Sequence, residues 1–232
     1  MVRYINEFKN KHIGQDIWII SAGSSMNYVD TSFFVNKITI GVNKVGKKYS
    51  CTYAILKDLV KNGAKELVGC EDPPFNSEFV LASEWDKGGL VNFKNTDKSL
   101  NKLYAKYPDK FYFYKHIKNG FGNTKVFDSE DEFFISTSTI STSVHVAAYM
   151  GAKNIIICGH DLLAIDDKMY FDEYAKPSTK GMQDFFINKG IHSDTILVRD
   201  KVKQKYGCNV YTLNPFIGFD MEGHNIKRFG EN

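Results

Sequence analysis

The sequence predicts an α/β fold with a mostly parallel central sheet, helices on both faces and a small lid or insertion. Short continuous apolar runs such as DIWIISAG (16–23) and NIIICG (154–159) are typical of parallel strands that are buried on both faces. Helix-like segments alternate with these runs, and strands that alternate with helices form parallel sheets. The 232 residues fit one domain, so we expect residues 1–232 to form a single unit.

Further strands are predicted in the first half of the chain. KITIGVN (37–43), YSCTYAI (49–55) and ELVGC (66–70) are short and apolar. Between the last two, residues 56–65 have a helical pattern that closes at Gly63. The first half therefore supplies successive strands of one sheet.

The middle of the chain has a weaker pattern. Residues 75–130 contain a strand-like LVNF (90–93), a helix-like stretch (97–107) and the strand-like FYFYK (111–115). Because these pieces do not continue the regular alternation, we expect a variable insertion or lid over 75–130.

The second half returns to a clear alternation. STSTISTSVHVAAYMGA (136–152) begins with hydroxyl side chains suited to capping a helix, and its apolar residues share one helix face. HSDTILVRDKVKQKYG (192–207) predicts another helix, and CNVYTLN (208–214) predicts the last strand. The stretch 172–191, which comes directly before the helix at 192–207, is expected to be a mobile lid.

Composition excludes several classes of protein. Thirty Lys and Arg against 27 Asp and Glu give a net charge of +3, which does not favour a nucleic-acid partner. No apolar stretch reaches about 18 residues, so no transmembrane segment is predicted. The polar N-terminus lacks a signal sequence, and the four cysteines lie too far apart for a C-x-x-C pair. We therefore expect a cytoplasmic protein without disulfides or structural zinc, with Cys158 in the core.

Candidate binding residues follow three of the strands. In parallel sheets, ligands bind beyond the carboxyl ends of the strands. Small residues follow the first strand at 21–25, Asn43 follows the second, and Gly159, His160 and Asp161 follow NIIIC. The 21–25 loop suits a phosphate, but a plain turn explains it equally well. Asp161 could accept a ribose hydroxyl, hold a metal or cap a loop.

Five of the six histidines have sequence surroundings that indicate where they lie. His12 and His116 lie in polar surroundings and are expected at the surface, whereas His145 lies in an apolar helix and is expected in the core. His160 lies at the expected crevice. His192 begins a helix, where the positive end of the helix dipole would lower the pKa of the imidazole and keep it a neutral base. A structural position beside a helix cap explains the residue too.

Several segments, in order, resemble one group of enzymes and cover roughly half the chain. They are IISAGSSMNYVD (19–30), ITIGVNKV (38–45), STISTSVHVAAYMGAKNIIICGHDLL (138–163), MYF (169–171), GIHSDT (190–195) and YGCNVYTLNP (206–215). Together they resemble the bacterial sialyltransferases of glycosyltransferase family 42 and the related 6-hydroxymethylpterin pyrophosphokinase (MptE-like) domains. The resemblance implies a Rossmann-like nucleotide-binding fold.

The resemblance also implies roles for particular residues. It makes His192 the general base and Tyr170 a hydrogen-bond donor to the leaving phosphate. The residues expected at the nucleotide, its phosphate or the donor sugar are Gly23, Ser24, Ser25, Asn43, Thr139, Gly159 and Asp161. The implied activity moves a sialic-acid-like sugar from a nucleotide-activated donor, CMP-linked, to a glycan or glycolipid acceptor, with no metal required. A homo-oligomer and a peripheral position at the inner membrane are both compatible with this activity.

The sequence departs from the family at the donor site. Ala22, Gly23 and Ser24 stand where the family has Asn-Gly-Pro, and Leu163 replaces a second phosphate-binding tyrosine. Two alternatives therefore remain open. One is an MptE-like transfer of diphosphate from ATP to a pterin-like alcohol, with Mg²⁺ held through Asp161 or Asp58. The other is a non-catalytic nucleotide-binding module.

Overall fold

A computed structural model describes most of the chain. The described residues are 3–57, 77–83, 85–86, 89–90, 104–116, 133–134, 138–161, 163–174, 180–188, 190–213 and 226–227.

The fold is built on one eight-stranded sheet in which every neighbouring pair is parallel. Its strands are β1 (Asp16–Ile20), β2 (Ile38–Val42), β3 (Cys51–Leu56), β4 (Ser77–Ser83), β7 (Phe111–His116), β8 (Phe133–Phe134), β9 (Asn154–Cys158) and β11 (Asn209–Thr212). The predicted parallel α/β fold is confirmed.

Short antiparallel pairs lie outside this sheet. They are β5 (Trp85–Asp86) with β6 (Gly89–Leu90), and β10 (Ala164–Ile165) with β12 (Ile226–Lys227).

The strand order places a reversal beside β1. The order is β11-β9-β1-β2-β3-β4-β7-β8, so the chain runs outward from β1 in one direction and later returns to its other side. Ile17 and Ile19 of β1 pair with Ile155 and Ile157 of β9 and are fully buried. Since ligands bind where the strand order reverses, the carboxyl ends of β1 and β9 are the place to look for a site.

Three described α-helices are α1 (Thr139–Tyr149), α2 (Lys180–Asn188) and α3 (Ile191–Tyr206), and residues 104–106 are also helical. The hydroxyl of Ser138 caps α1 by accepting a hydrogen bond from the N–H of Ser141. Every residue from Ile140 to Tyr149 is buried. The sequence predicted burial of a single apolar face, so the buried surface of this helix is wider than predicted. The reason is that α1 packs against the sheet on one side and against α3 on the other.

The opposite face of the sheet is covered by 3-10 turns in the described part of the chain. They span Ser24–Tyr28, Thr31–Phe34, Asn43–Lys47 and Asp172–Tyr174. Phe34, Tyr49 and Phe171 pack edge-to-face beneath them. These aromatic contacts form a second core around the turns.

Several predicted segments can be compared with the structure only in part, because they overlap residues outside the described ranges. The helix at 56–65 and the strand at 66–70 lie mostly or wholly outside the described residues. Within 75–130, β4 and β7 belong to the central sheet, and the variable insertion stays a prediction for the rest. Within 172–191 the structure describes α2, and the mobility of this lid also stays a prediction.

Three cysteines lie in the core as free thiols: Cys51, Cys158 and Cys208. Burial raises the pKa of the Cys158 thiol to about 12, as expected for an inert core residue. Among the described residues, no helix has the length and apolar character that crossing a membrane requires.

Candidate functional site

A cavity of about 220 Å³ opens at the carboxyl ends of β1, β2 and β9, where the strand order reverses. This volume is below the roughly 300–1,000 Å³ of typical small-molecule sites, so it suits a phosphate-sized part of a ligand. Its described lining residues are Ser21, Ala22, Gly23, Val42, Asn43, Ser138, Thr139, Ile140, Gly159, His160, Asp161, Leu163, Met169, Tyr170, Tyr174 and Ile191.

The structure brings six of the nine predicted site residues together on this cavity. They are Gly23, Asn43, Thr139, Gly159, Asp161 and Tyr170. Ser24 and Ser25 are buried and do not line it. The side chain of His192 lies outside the described part of the structure, although its backbone is the second residue of α3, directly after Ile191.

Asp161 joins the loop after β9 to the turn after β1. Its Oδ2 accepts a hydrogen bond from the N–H of Ser25 at 2.8 Å, and its Oδ1 accepts one from the Ser25 hydroxyl at 2.6 Å. Burial raises the pKa of the Asp161 carboxyl, and the two bonds from Ser25 partly offset that rise. Ser25 therefore holds Asp161 and does not line the cavity.

Gly23 lies where the two loops come closest. Its N–H donates to the carbonyl of Gly159 at 2.8 Å. A Cβ on Gly23 would lie 2.4 Å from Asp161 Oδ2 and 2.5 Å from the Gly159 carbonyl oxygen. Only glycine fits this close approach, so the small residue is explained by packing between loops.

The glycine and the asparagine beyond the strands adopt left-handed backbone conformations. Gly159 has φ +69°, and a Cβ there would also lie 2.5 Å from Met26 Cγ. Asn43 has φ 54°, a conformation that asparagine tolerates better than most residues. Asn43 begins the 3-10 turn Asn43–Lys47, and it turns the chain away from β2 at the cavity edge.

The N-terminus of α1 forms another wall. Ser138, Thr139 and Ile140 all line the cavity. The N–H groups at the start of a helix have no carbonyl one turn earlier to bond, and they carry the positive end of the helix dipole. This wall therefore favours a negatively charged group in the cavity.

Tyr170 and Tyr174 form an aromatic wall. Their rings stack with centroids 5.2 Å apart and an interplanar angle of 19°. The backbone of Tyr170 makes an antiparallel bridge with Gly23, which fixes this wall against the first loop. Lys44 Nζ lies 5.9 Å from the centre of the Tyr174 ring and adds positive charge on that side.

His160 belongs to the cavity, and it was placed at the crevice by sequence without an assigned role. Its Nε2 lies 3.2 Å from the hydroxyl oxygen of Thr195, and that hydroxyl donates to the carbonyl of Ile191 at 2.9 Å. Since the single Thr195 proton is used there, His160 Nε2 is the donor of the first bond. This bond ties the loop after β9 to the first turn of α3.

Sequence reasoning missed three other lining residues that bear on a ligand: Ser138, Tyr174 and Ile191. Ser138 had a usable signal, because it is the hydroxyl residue directly before the helical run. Tyr174 and Ile191 had none, since only the folded chain brings them beside β1.

The residues considered for a metal do not form a ligand set. Each Asp161 oxygen already accepts a bond from Ser25. Asp166 and Asp167 lie in an exposed left-handed turn, where Asp166 accepts from the Tyr28 hydroxyl. In the parts of the chain that the structure describes, no three His, Cys, Asp or Glu residues are grouped as a metal site. Asp58 lies outside those parts, and we derive no step through a metal.

The structure gives the positions of two further histidine side chains, His145 and His12. His145 is buried, its Nε2 lies 3.2 Å from the Tyr206 hydroxyl, and it is the predicted core histidine. His12 is also buried, with Nε2 2.8 Å from the Tyr53 hydroxyl, so its predicted surface position is wrong. The polar neighbours of His12 in sequence gave no sign of this contact, which joins residues 41 positions apart. The side chain of His116 lies outside the described residues.

Neither a protein-family model nor a curated protein matches the sequence. Among solved structures, the chain is similar to the sialyltransferase CST-II in complex with a trisaccharide acceptor and CMP. The two share 16% identity and a TM-score of 0.50, over 87% of this chain and 82% of that chain. A structure of CstII from Campylobacter jejuni with the substrate analogue CMP-3FNeuAc is 17% identical, with a TM-score of 0.49 over 89% and 83%. The first of these shows that the α/β fold of this chain resembles the fold of a sialyltransferase.

Proposed function

We propose that this chain is a sialyltransferase-like glycosyltransferase that moves a sialic-acid-like sugar from a CMP-linked donor to a glycan or glycolipid acceptor. One observation carries the proposal: six residues expected at the donor surround a single cavity at the strand reversal. The similarity of the fold to that of a sialyltransferase supports the same activity.

The phosphate of the donor would enter the cavity. The N–H groups of Thr139 and Ile140 at the start of α1, the Asn43 amide and the Tyr170 hydroxyl are suitable donors to its oxygens. Small residues at Gly23 and Gly159 let backbone approach the same space. The nucleoside and the sugar would extend beyond the cavity.

The reaction would be a single displacement. The oxygen of an acceptor hydroxyl attacks the anomeric carbon of the sugar, and the bond from that carbon to the CMP phosphate oxygen breaks. His192 takes the proton of the hydroxyl, and the Tyr170 hydroxyl donates a hydrogen bond to the departing phosphate. The position of His192 in the first turn of α3, next to the cavity residue Ile191, supports this role.

No metal enters this proposal. The CMP phosphate is a good leaving group when its charge is met by hydrogen-bond donors, and the proposed donors belong to the protein. Transfer should therefore proceed unchanged in the presence of EDTA. We further propose that the protein acts in the cytoplasm or at the inner face of the membrane, where a glycolipid acceptor would be reached.

A nucleotide panel tests the proposal. Calorimetry and thermal unfolding are measured with CMP, with ATP, and with ATP plus Mg²⁺, and hydrolysis of CMP-sialic acid is followed in parallel. At about 100 times its Kd, a ligand that binds only the folded state stabilises it by about 2.7 kcal/mol. CMP binding with donor hydrolysis supports the transferase. Binding of ATP with Mg²⁺, but not of CMP, favours the MptE-like alternative. CMP binding without turnover favours the non-catalytic module.

A further inference from the structure

A buried chain of hydrogen bonds connects the cavity to the carboxylate of Asp194. Ser138, which lines the cavity, lies with its Oγ 2.9 Å from the Oγ of Ser141. The Ser141 hydroxyl donates to Asp194 Oδ2 at 2.5 Å. Asp194 is only 6% exposed and lies in the first turn of α3, and it contacts Ser141 of α1 without lining the cavity.

The direction of each proton in this chain is fixed. A carboxylate only accepts, so the Ser141 hydroxyl donates the hydrogen bond to Asp194. The Ser138 hydroxyl must then donate to Ser141, while its oxygen accepts from the N–H of Ser141 at 3.0 Å. The hydroxyl proton of Ser138 is therefore not offered to a ligand, and every hydroxyl dipole in the chain is oriented toward the carboxylate.

This arrangement places a negative charge behind the wall that would hold an anion. The described lining residues include no lysine or arginine. Lys44 lies on the tyrosine side, and the N-terminus of α1 supplies positive potential at its own wall. Asp194 lies two hydrogen bonds from the first residue of that wall. In the poorly screened interior, the carboxylate opposes an anion held by the same helix end.

We propose that Asp194 limits how tightly the cavity holds the phosphate of its ligand, which would speed release of the nucleotide product. The inference rests on the proposed function, because it takes the ligand to be a nucleotide phosphate. It assigns Asp194 a tuning role without contact with the ligand, so it is a positioning and electrostatic residue.

Matched ligands separate the charge effect from the shape of the site. Kd values for CMP and for uncharged cytidine are measured by calorimetry on the full chain and on Asp194→Asn, which keeps an oxygen that accepts from Ser141. CMP should bind about tenfold more tightly to the variant, while cytidine affinity stays unchanged. Asp194→Ser, which keeps a smaller acceptor, should show the same selective gain.

One control variant shows whether the effect is specific to Asp194. Asp200→Asn removes an exposed carboxylate on the same helix, paired with Arg199, and should change neither ligand.

Several outcomes would overturn the inference. They are equal CMP affinity in Asp194→Asn and the parent chain, an equal gain for cytidine, an equal gain in Asp200→Asn, and loss of the fold in both Asp194 variants. The last would make Asp194 purely structural. If CMP does not bind the parent chain at all, the proposed function fails instead.

Discussion

Gly23 is the residue on which the geometry of the site depends most closely. It lies between the Asp161 carboxylate and the carbonyl of Gly159, and it has no room for a methyl group on either side. Asp161 cannot simply move aside, because Ser25 holds both of its oxygens. The close approach of the two loops therefore requires glycine.

Gly23→Ala should destabilise the protein by about 1–3 kcal/mol, the usual cost of inserting a methyl group into a well-packed place. Urea unfolding measures this change. Gly46→Ala is the matched control, because a Cβ on Gly46 meets nothing within 4 Å. Equal stability of the two variants would contradict the close approach.

His192→Ala should lower sugar transfer by at least about 100-fold while leaving CMP binding nearly unchanged, because a general base acts in the transition state. Tyr170→Phe should lower turnover more mildly by removing one hydrogen bond to the phosphate. Initial transfer rates beside calorimetric Kd values test both variants, with Ser193→Ala as the neighbouring control. Full activity in His192→Ala would show that His192 is not the general base and has only a structural role at the start of α3.

The cavity residues that directly follow a buried strand could be predicted from the sequence. Gly23, Asn43 and Gly159 follow buried strands, and parallel strands bring their carboxyl ends to one edge. Ser25 was expected at the nucleotide because of the resemblance to the sialyltransferases. Its actual partner, Asp161, lies 136 residues away in the sequence, and no local pattern reveals such a contact.

At the scale of elements, α1 is the helix that ties the site to the core. It presents its N-terminus to the cavity and buries His145 against Tyr206 of α3. The sequence predicted the helix and its hydroxyl cap correctly. It did not predict burial on all sides, because the second side depends on where α3 docks.

His145 makes stability depend on pH. Burial, with a smaller contribution from Lys205, lowers the pKa of its imidazole to about 3, below the ordinary value of about 6.5 expected in the unfolded chain. Between these values the unfolded chain binds a proton that the folded chain does not. The free energy of unfolding therefore falls as pH falls, by up to about 1.4 kcal/mol per pH unit for this group.

His145→Gln should flatten this dependence. Urea unfolding of the parent chain and the variant is compared from about pH 7 to about pH 5, and the difference between the two profiles isolates His145. His12, whose pKa burial also lowers, is present in both proteins and cancels. Parallel profiles would show that His145 is not held neutral in the folded chain.

At the scale of the whole molecule, the reversal of strand order beside β1 places the cavity. The sequence predicted a parallel sheet from its buried apolar runs. The order of the strands could not be predicted, because β9 reaches β1 only after more than half the chain has passed. The same limit applies to β4 and β7, whose weak patterns gave no sign that they extend the central sheet.

A crystal structure of the chain with CMP tests the central claim most directly. The account predicts that the phosphate lies in the cavity between the N-terminus of α1 and Tyr170, within hydrogen-bond distance of the Thr139 or Ile140 N–H. A second described cavity, of about 630 Å³, lies at the opposite edge of the sheet and is lined in part by Lys37 and Lys110. CMP bound there, with no phosphate at the carboxyl edge, would contradict the account.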